Sequence, residues 1–192
     1  MSQTTGTAER RSFSLLEIVY IGVCAALLAV CSQIYIPLPP PLVQFTMQTF
    51  AVFCTLELLG GKRGFCAILV FILLGAAGVP VFSGMQGGFS VLLGKTGGYI
   101  VGFLLTAVIY WAMTHFLGNK LWVRITALVT GLLVCYAFGT IWFIRIYTSQ
   151  TGAVGVMTAL GWCVLPYLLP DAAKMVLAFV LTGQVRKQLK LS

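Results

Sequence analysis

The sequence predicts an all-α integral membrane protein: one domain, residues 1–192, with six transmembrane helices. Three observations lead there. Of 192 residues, 59% are hydrophobic and 8% charged, whereas roughly a quarter of a soluble domain is charged. The apolar residues fall into six runs, and a spanning helix needs about 20 of them. Nine of the twelve basic residues lie at alternate ends of those runs.

The first run, residues 15–36, follows a polar tail, residues 1–13, that carries Arg10 and Arg11. No small-x-small cleavage site closes the run, so it is read as a retained helix. Gly22, Ala25, Ala26 and Ala29 give it a smooth stripe, suited to internal packing or to docking another membrane protein. A proline-rich connection follows, stiff because proline fixes φ, and ends in Gln44, Thr46 and Gln48. It is either a spacer or one wall of a site that cannot collapse.

Runs two and three, residues 45–59 and 65–79, are short for spans. Tilted, re-entrant or neighbour-covered helices would accommodate them. The connection over residues 75–99 is rich in glycine, which permits positive φ, and carries Phe82, Met85, Phe89 and Leu92. Solvation explains such an apolar loop poorly, and a lid folded over the bundle explains it better. Run four, residues 96–117, carries a ridge of Gly94, Gly98 and Gly102, suited to close helix contact, within the chain or between chains. Run five covers residues 121–147. Run six covers residues 170–185, with Pro170 read as its first helical position. Asp171 then falls in the first turn, where the helix dipole favours an anion.

Arg10, Arg11, Lys62, Arg63, Lys120, Arg124, Arg186, Lys187 and Lys190 follow the positive-inside pattern. Both termini are therefore expected in the cytoplasm, with residues 186–192 as the second tail. The net charge of +8 is topological and does not point to nucleic acid. Lys95, Arg145 and Lys174 break the pattern and gather with Asp171 toward the outside, which reads as a binding site or as snorkelling at the interface.

Several function classes fall away. Cys24, Cys31, Cys54, Cys66, Cys135 and Cys163 are scattered singly, without metal or disulfide spacing. Gly88 to Thr96 resembles a phosphate loop but has five residues between its glycines where four are required. An enzyme would need a nucleophile–base pair or metal ligands, and the single histidine, His115, lies near an inner helix end. No metal or cofactor is called for.

Asp171 and Lys174 are the most informative residues. Spaced i,i+3, they share one helical face, inside a run otherwise fit for lipid. Ionisable groups there are costly and point to a substrate or ion site. The bland reading is a helix-start charge paired with its neighbour, yet such a pair still carries a desolvation cost that apolar residues avoid.

The stretch Gly-Val-Pro-Val-Phe-Ser-Gly…Gly-Gly…Leu-x-Gly-x-Thr-Gly-Gly-Tyr-x-x-Gly-Phe over residues 78–103, and Pro166-Tyr-x-x-x-Asp171-x-x-Lys174, resemble BioY. That family comprises the biotin-binding S components of energy-coupling factor (ECF) vitamin transporters. Residues 37–49 and the alanine-rich first helix agree with it. Lys95 departs from the pattern, and Ser83-Gly84 is a second place where contacts differ.

The resemblance implies the ECF S-component fold in the cell membrane, with both termini inside. It implies biotin as ligand, bound near the outer surface by the first and third connections and helices four to six. Asp171 would accept the ureido N–H groups and Lys174 would donate to the ureido oxygen. Lys95, or after it Arg145, would hold the tail carboxylate. Phe82 and Tyr99 would cover the apolar body, while Gln48 and Gln86 add hydrogen bonds. The small-residue stripe of helix one would dock on a transmembrane coupling subunit, with two cytoplasmic ATPases completing the complex. A self-sufficient oligomeric transporter of a small vitamin is the alternative, and the inverted repeats that would favour it are not evident.

Overall fold

A computed structural model describes residues 14–189. Arg10, Arg11 and Lys190, used above for the tails, lie outside the described residues. Helix α1 (Leu15–Gln33) opens with a capping box. Ser14 Oγ accepts from the Glu17 amide at 3.3 Å, and Glu17 Oε2 accepts from the Ser14 amide at 3.0 Å. The helix stops at Gln33, three residues before the predicted end. Strand β1 (Tyr35–Ile36) leaves it and pairs antiparallel with β2 (Phe45–Thr46). The stiff connection is thus stapled at its base by a two-stranded ribbon.

Helix α2 (Gln48–Ala76) contains predicted runs two and three. Gly60 divides it at φ 75°, a conformation open to glycine and strained for other residues. Beyond it the chain doubles back. A Cβ on Gly64 would lie 3.3 Å from Leu56 Cα, a distance that eight residues of continuous helix exclude. The two arms, residues 48–59 and 61–76, therefore run antiparallel. Residues 51–57 of the first arm are all buried, so that arm is covered by protein and does not need membrane-spanning length.

A single turn, α3 (Phe89–Leu92), precedes α4 (Gly97–Leu117) and α5 (Leu121–Gln150). These two helices pack closely. A Cβ on Gly98 would lie 2.3 Å from Trp142 Cβ, and one on Gly102 2.6 Å from Cys135 Sγ, so this part of the glycine ridge serves contact within the chain. Helix α6 (Val156–Cys163), absent from the sequence reading, leads into α7 (Leu165–Leu189). Among the described residues five helices are long and apolar enough to cross a membrane, and the reversal in α2 makes six rods.

The start of α7 corrects the reading of Pro170, which lies inside the helix rather than at its first position. Membrane helices tolerate this because neighbouring groups satisfy the freed carbonyl. Asp171 accordingly lies two turns into α7 and gains nothing from a helix start. A second correction concerns the small-residue stripe. Gly22 and Ala26 are exposed and Ala29 half-buried, but Ala25 is 4% exposed and packed in the core.

Ion pairs Arg63–Glu17 and Arg124–Glu57 draw the start of α1, the bend of α2 and the start of α5 to one end of the bundle. Asp171 and Lys174 lie toward the other. There the residue 77–96 connection folds back over the bundle, as a lid would. Phe82 is 1% exposed, with its ring 5.6 Å from that of Phe71 and seated so close to Gly75 that a Cβ there would meet it at 2.1 Å. From α1, Ser32 Oγ donates to Val81 O. Gln33 Nε2 donates to Phe82 O at 3.0 Å and its Oε1 accepts from the Met85 amide at 2.9 Å.

Candidate functional site

Beneath the lid is a cavity of about 770 Å³, open mouth included, walled by the ribbon connection, the first arm of α2, the lid and helices α4 to α7. Asp171 and Lys174 face it, 3% and 5% exposed. Asp171 Oδ1 accepts hydrogen bonds from Lys174 Nζ at 2.7 Å and Thr49 Oγ1 at 2.9 Å, while Oδ2 accepts from Tyr136 OH at 2.5 Å. Lys174 Nζ also donates to Thr46 O at 2.7 Å and Thr49 Oγ1 at 3.1 Å, and lies 4.0 Å from the Phe45 ring centroid. Beyond their bond to each other within α7, the groups that the buried charges need come from other elements, which is how a costly pair is kept at membrane depth.

The hydrogen-bond capacities are unequal. A carboxylate accepts about four hydrogen bonds and an ammonium donates three. Asp171 receives three and keeps room for another. Lys174 has all three donors committed to protein acceptors. Meanwhile Gln48 Nε2 and Ser83 Oγ are buried, line the same cavity and have no hydrogen-bond partner among the described residues.

Six of the eight predicted binding residues meet here: Asp171, Lys174, Gln48, Phe82, Gln86 and Tyr99. The Tyr99 hydroxyl is 3.1 Å from Thr140 Oγ1, which fixes its ring against the cavity. Lys95 stands outside, in a vestibule of about 1330 Å³ with its open mouth, between the proline-rich connection and the end of α5. Its ammonium lies 4.9 Å from the Tyr147 ring centroid. Val43, Gln44, Gln86 and Thr96 border both spaces, so the vestibule adjoins the cavity. Arg145 is exposed on α5 and lines neither space.

Thr49, Tyr136, Tyr167, Cys135 and Cys163 were missed by the sequence reading. Tyr167 donates its hydroxyl to Val43 O and so ties α7 to the proline-rich connection. Of the five, Tyr167 and Thr49 carried a signal, lying inside the motif stretches. The others are ordinary residues of apolar helices.

The helices and this polar-floored cavity define a multi-pass membrane protein with the S-component fold. The chain superposes on the 2.1 Å crystal structure of the S-component for biotin from an ECF-type ABC transporter with a TM-score of 0.78. The match is 24% identical over 92% of this chain and 95% of that one. The sequence profile of the BioY family matches residues 4–191, and the chain belongs to that family. It is 33% identical to the biotin transporter BioY of Thermotoga maritima, over 89% of this chain and 96% of that protein. It is 35% identical to a probable biotin transporter BioY of Pyrococcus horikoshii, over 88% and 96%.

Proposed function

We propose that this chain is a multi-pass membrane subunit that captures biotin at the outer face and delivers it inward with an ATP-driven ECF module. The observation that carries the reading is the Asp171 carboxylate, held by three donors at the floor of a closed cavity with capacity for one more. A ureido N–H fits that capacity. The family relatives carry biotin in their names, which supports the same ligand.

The geometry refines the contacts expected from the sequence. Donation from Lys174 to the ureido oxygen requires exchange of one of its three existing bonds. Gln48 Nε2 and Ser83 Oγ need no exchange, and in this reading they meet that oxygen while Lys174 holds Asp171 ionised and in place. Phe82, Tyr99 and Tyr167 enclose the thiophane body. The tail points toward the vestibule, where Lys95 receives its carboxylate.

Positive charge at the bend of α2 and the start of α5 supports a cytoplasmic position for that end, and in this reading both termini lie there. The coupling subunit would meet the face of α1 that carries exposed Gly22 and Ala26 and half-buried Ala29, and two cytoplasmic ATPases would drive reorientation and release. Calorimetry of the purified chain with biotin, thiamine and riboflavin tests the ligand. One saturable biotin site and no heat from the other two is the expected result. No heat with biotin, or equal heat with all three, overturns the reading.

A further inference from the structure

Helices α5 and α7 barely touch, because α6 packs between their outer ends. Below α6 they are held apart by a seam of about 790 Å³, open side included. Ile125, Val129 and Leu133 line it from α5, and Leu168, Val176 and Phe179 from α7. Its length follows from helix geometry. Ile125 to Tyr136 is eleven residues, about 16 Å of rise, which matches one leaflet of a hydrocarbon core about 30 Å thick.

The inner end of the seam is cationic. The Arg124 guanidinium lies 5.8 Å from the Phe179 ring centroid. Arg186 follows Phe179 by seven residues, on the same face of α7. Glu57 neutralises Arg124, and Glu17 is engaged by Arg63. The Arg186 Nε is buried without a hydrogen-bond partner among the described residues, as is the Arg124 Nε. Arg186 has no ion pair among the described residues, which leaves one positive charge in excess at this end of the seam.

We propose that this seam binds one anionic phospholipid of the inner leaflet. An acyl chain lies between α5 and α7 and the phosphate lies between Arg124 and Arg186. Charge complementarity and the one-leaflet length select this occupant over a neutral lipid or a protein helix, since guanidinium groups pair with phosphate through directed, charge-assisted hydrogen bonds. The site is separate from the ligand cavity and independent of the biotin assignment. It nonetheless shares a wall with that cavity. Leu132 and Tyr136 line both spaces, and Tyr136 is the residue that holds Asp171 Oδ2.

Native mass spectrometry of the full chain in detergent, titrated with dioleoylphosphatidylglycerol or dioleoylphosphatidylcholine, tests this. One phosphatidylglycerol should bind about tenfold more tightly than phosphatidylcholine. Arg186→Gln should abolish that difference. Val129→Trp, at a position 41% exposed on the seam, should weaken both lipids about tenfold by filling the space. Thermal unfolding identifies variants that fold; if Val129→Trp does not, the lipid ratio and Arg186→Gln decide. Equal binding of the two lipids by the unaltered chain overturns the proposal, as does phosphatidylglycerol binding unchanged in Arg186→Gln. Complete displacement by inorganic phosphate would make the site one for a free anion and overturn it too.

Discussion

The two ends of the bundle hold the same three chemical groups: a carboxylate, a cation and a tyrosine. Toward the lid these are Asp171, Lys174 and Tyr136; toward the bend of α2 they are Glu57, Arg124 and Tyr110, whose hydroxyl donates to Glu57 Oε1 at 2.9 Å. Glu57 is 0% exposed and lines none of the spaces described above. Asp171 is almost as buried, yet it faces a cavity beside the unpartnered Gln48 and Ser83. The charged pair therefore does not by itself mark a ligand site. Unfilled hydrogen-bonding capacity next to open volume does. One triad closes the bundle and the other is left able to bind.

That contrast can be broken by substitution. The largest effect should come from Arg124→Leu, which strands a buried carboxylate at a cost of about 3–5 kcal/mol. Thermal unfolding in detergent should show a large loss of stability, with biotin affinity kept in the folded fraction. A variant as stable as the parent would remove the structural role given to the inner triad. Asp171→Asn should do the reverse, lowering biotin affinity about 100-fold, near 2.7 kcal/mol, with a smaller change in melting; calorimetry and melting measured together separate the two. Tyr136→Phe keeps the ring and loses one charge-assisted bond, so about a tenfold weaker affinity is expected, and none at all would detach Tyr136 from the site. Lys95→Ala is the mildest. Biotin should bind about fivefold more weakly and biotin methyl ester unchanged, whereas equal losses would move the carboxylate away from the vestibule.

The sequence made two members of the outer triad visible because Asp171 and Lys174 are three residues apart, while Tyr136 stayed hidden in an apolar helix. The inner triad was hidden. Glu57 and Arg124 are 67 residues apart, and only the fold, with α4 packed against both α2 and α5, brings them together. Helix positions followed from hydropathy, but the faces of the helices did not. In lipid the outer and inner surfaces of a helix are equally apolar, so α1 showed no polar side to set Ala25 apart from Ala26. Buried Ile21, Cys24, Ala25, Leu28 and Cys31 do repeat at helical spacing, a pattern that composition alone could not orient. Helix α6, at eight residues, is too short for any hydropathy window to register. Pro170 has two helical readings, first turn or tolerated interior, and only the tertiary surroundings of α7 choose between them.

The seat of Phe82 against Gly75 has a kinetic consequence. The ring lines the cavity, and α1 grips the lid on either side of it through Ser32 and Gln33. In the reading proposed above, a ligand passing the lid would wait for that ring to lift. Contacts to Asp171 would then set how deep the bound well is and the Phe82 seat the height of the barrier around it, so residence time and affinity would answer to different residues. A family member can lengthen the one without altering the other, simply by changing how firmly a single aromatic ring fits over a residue that has no side chain.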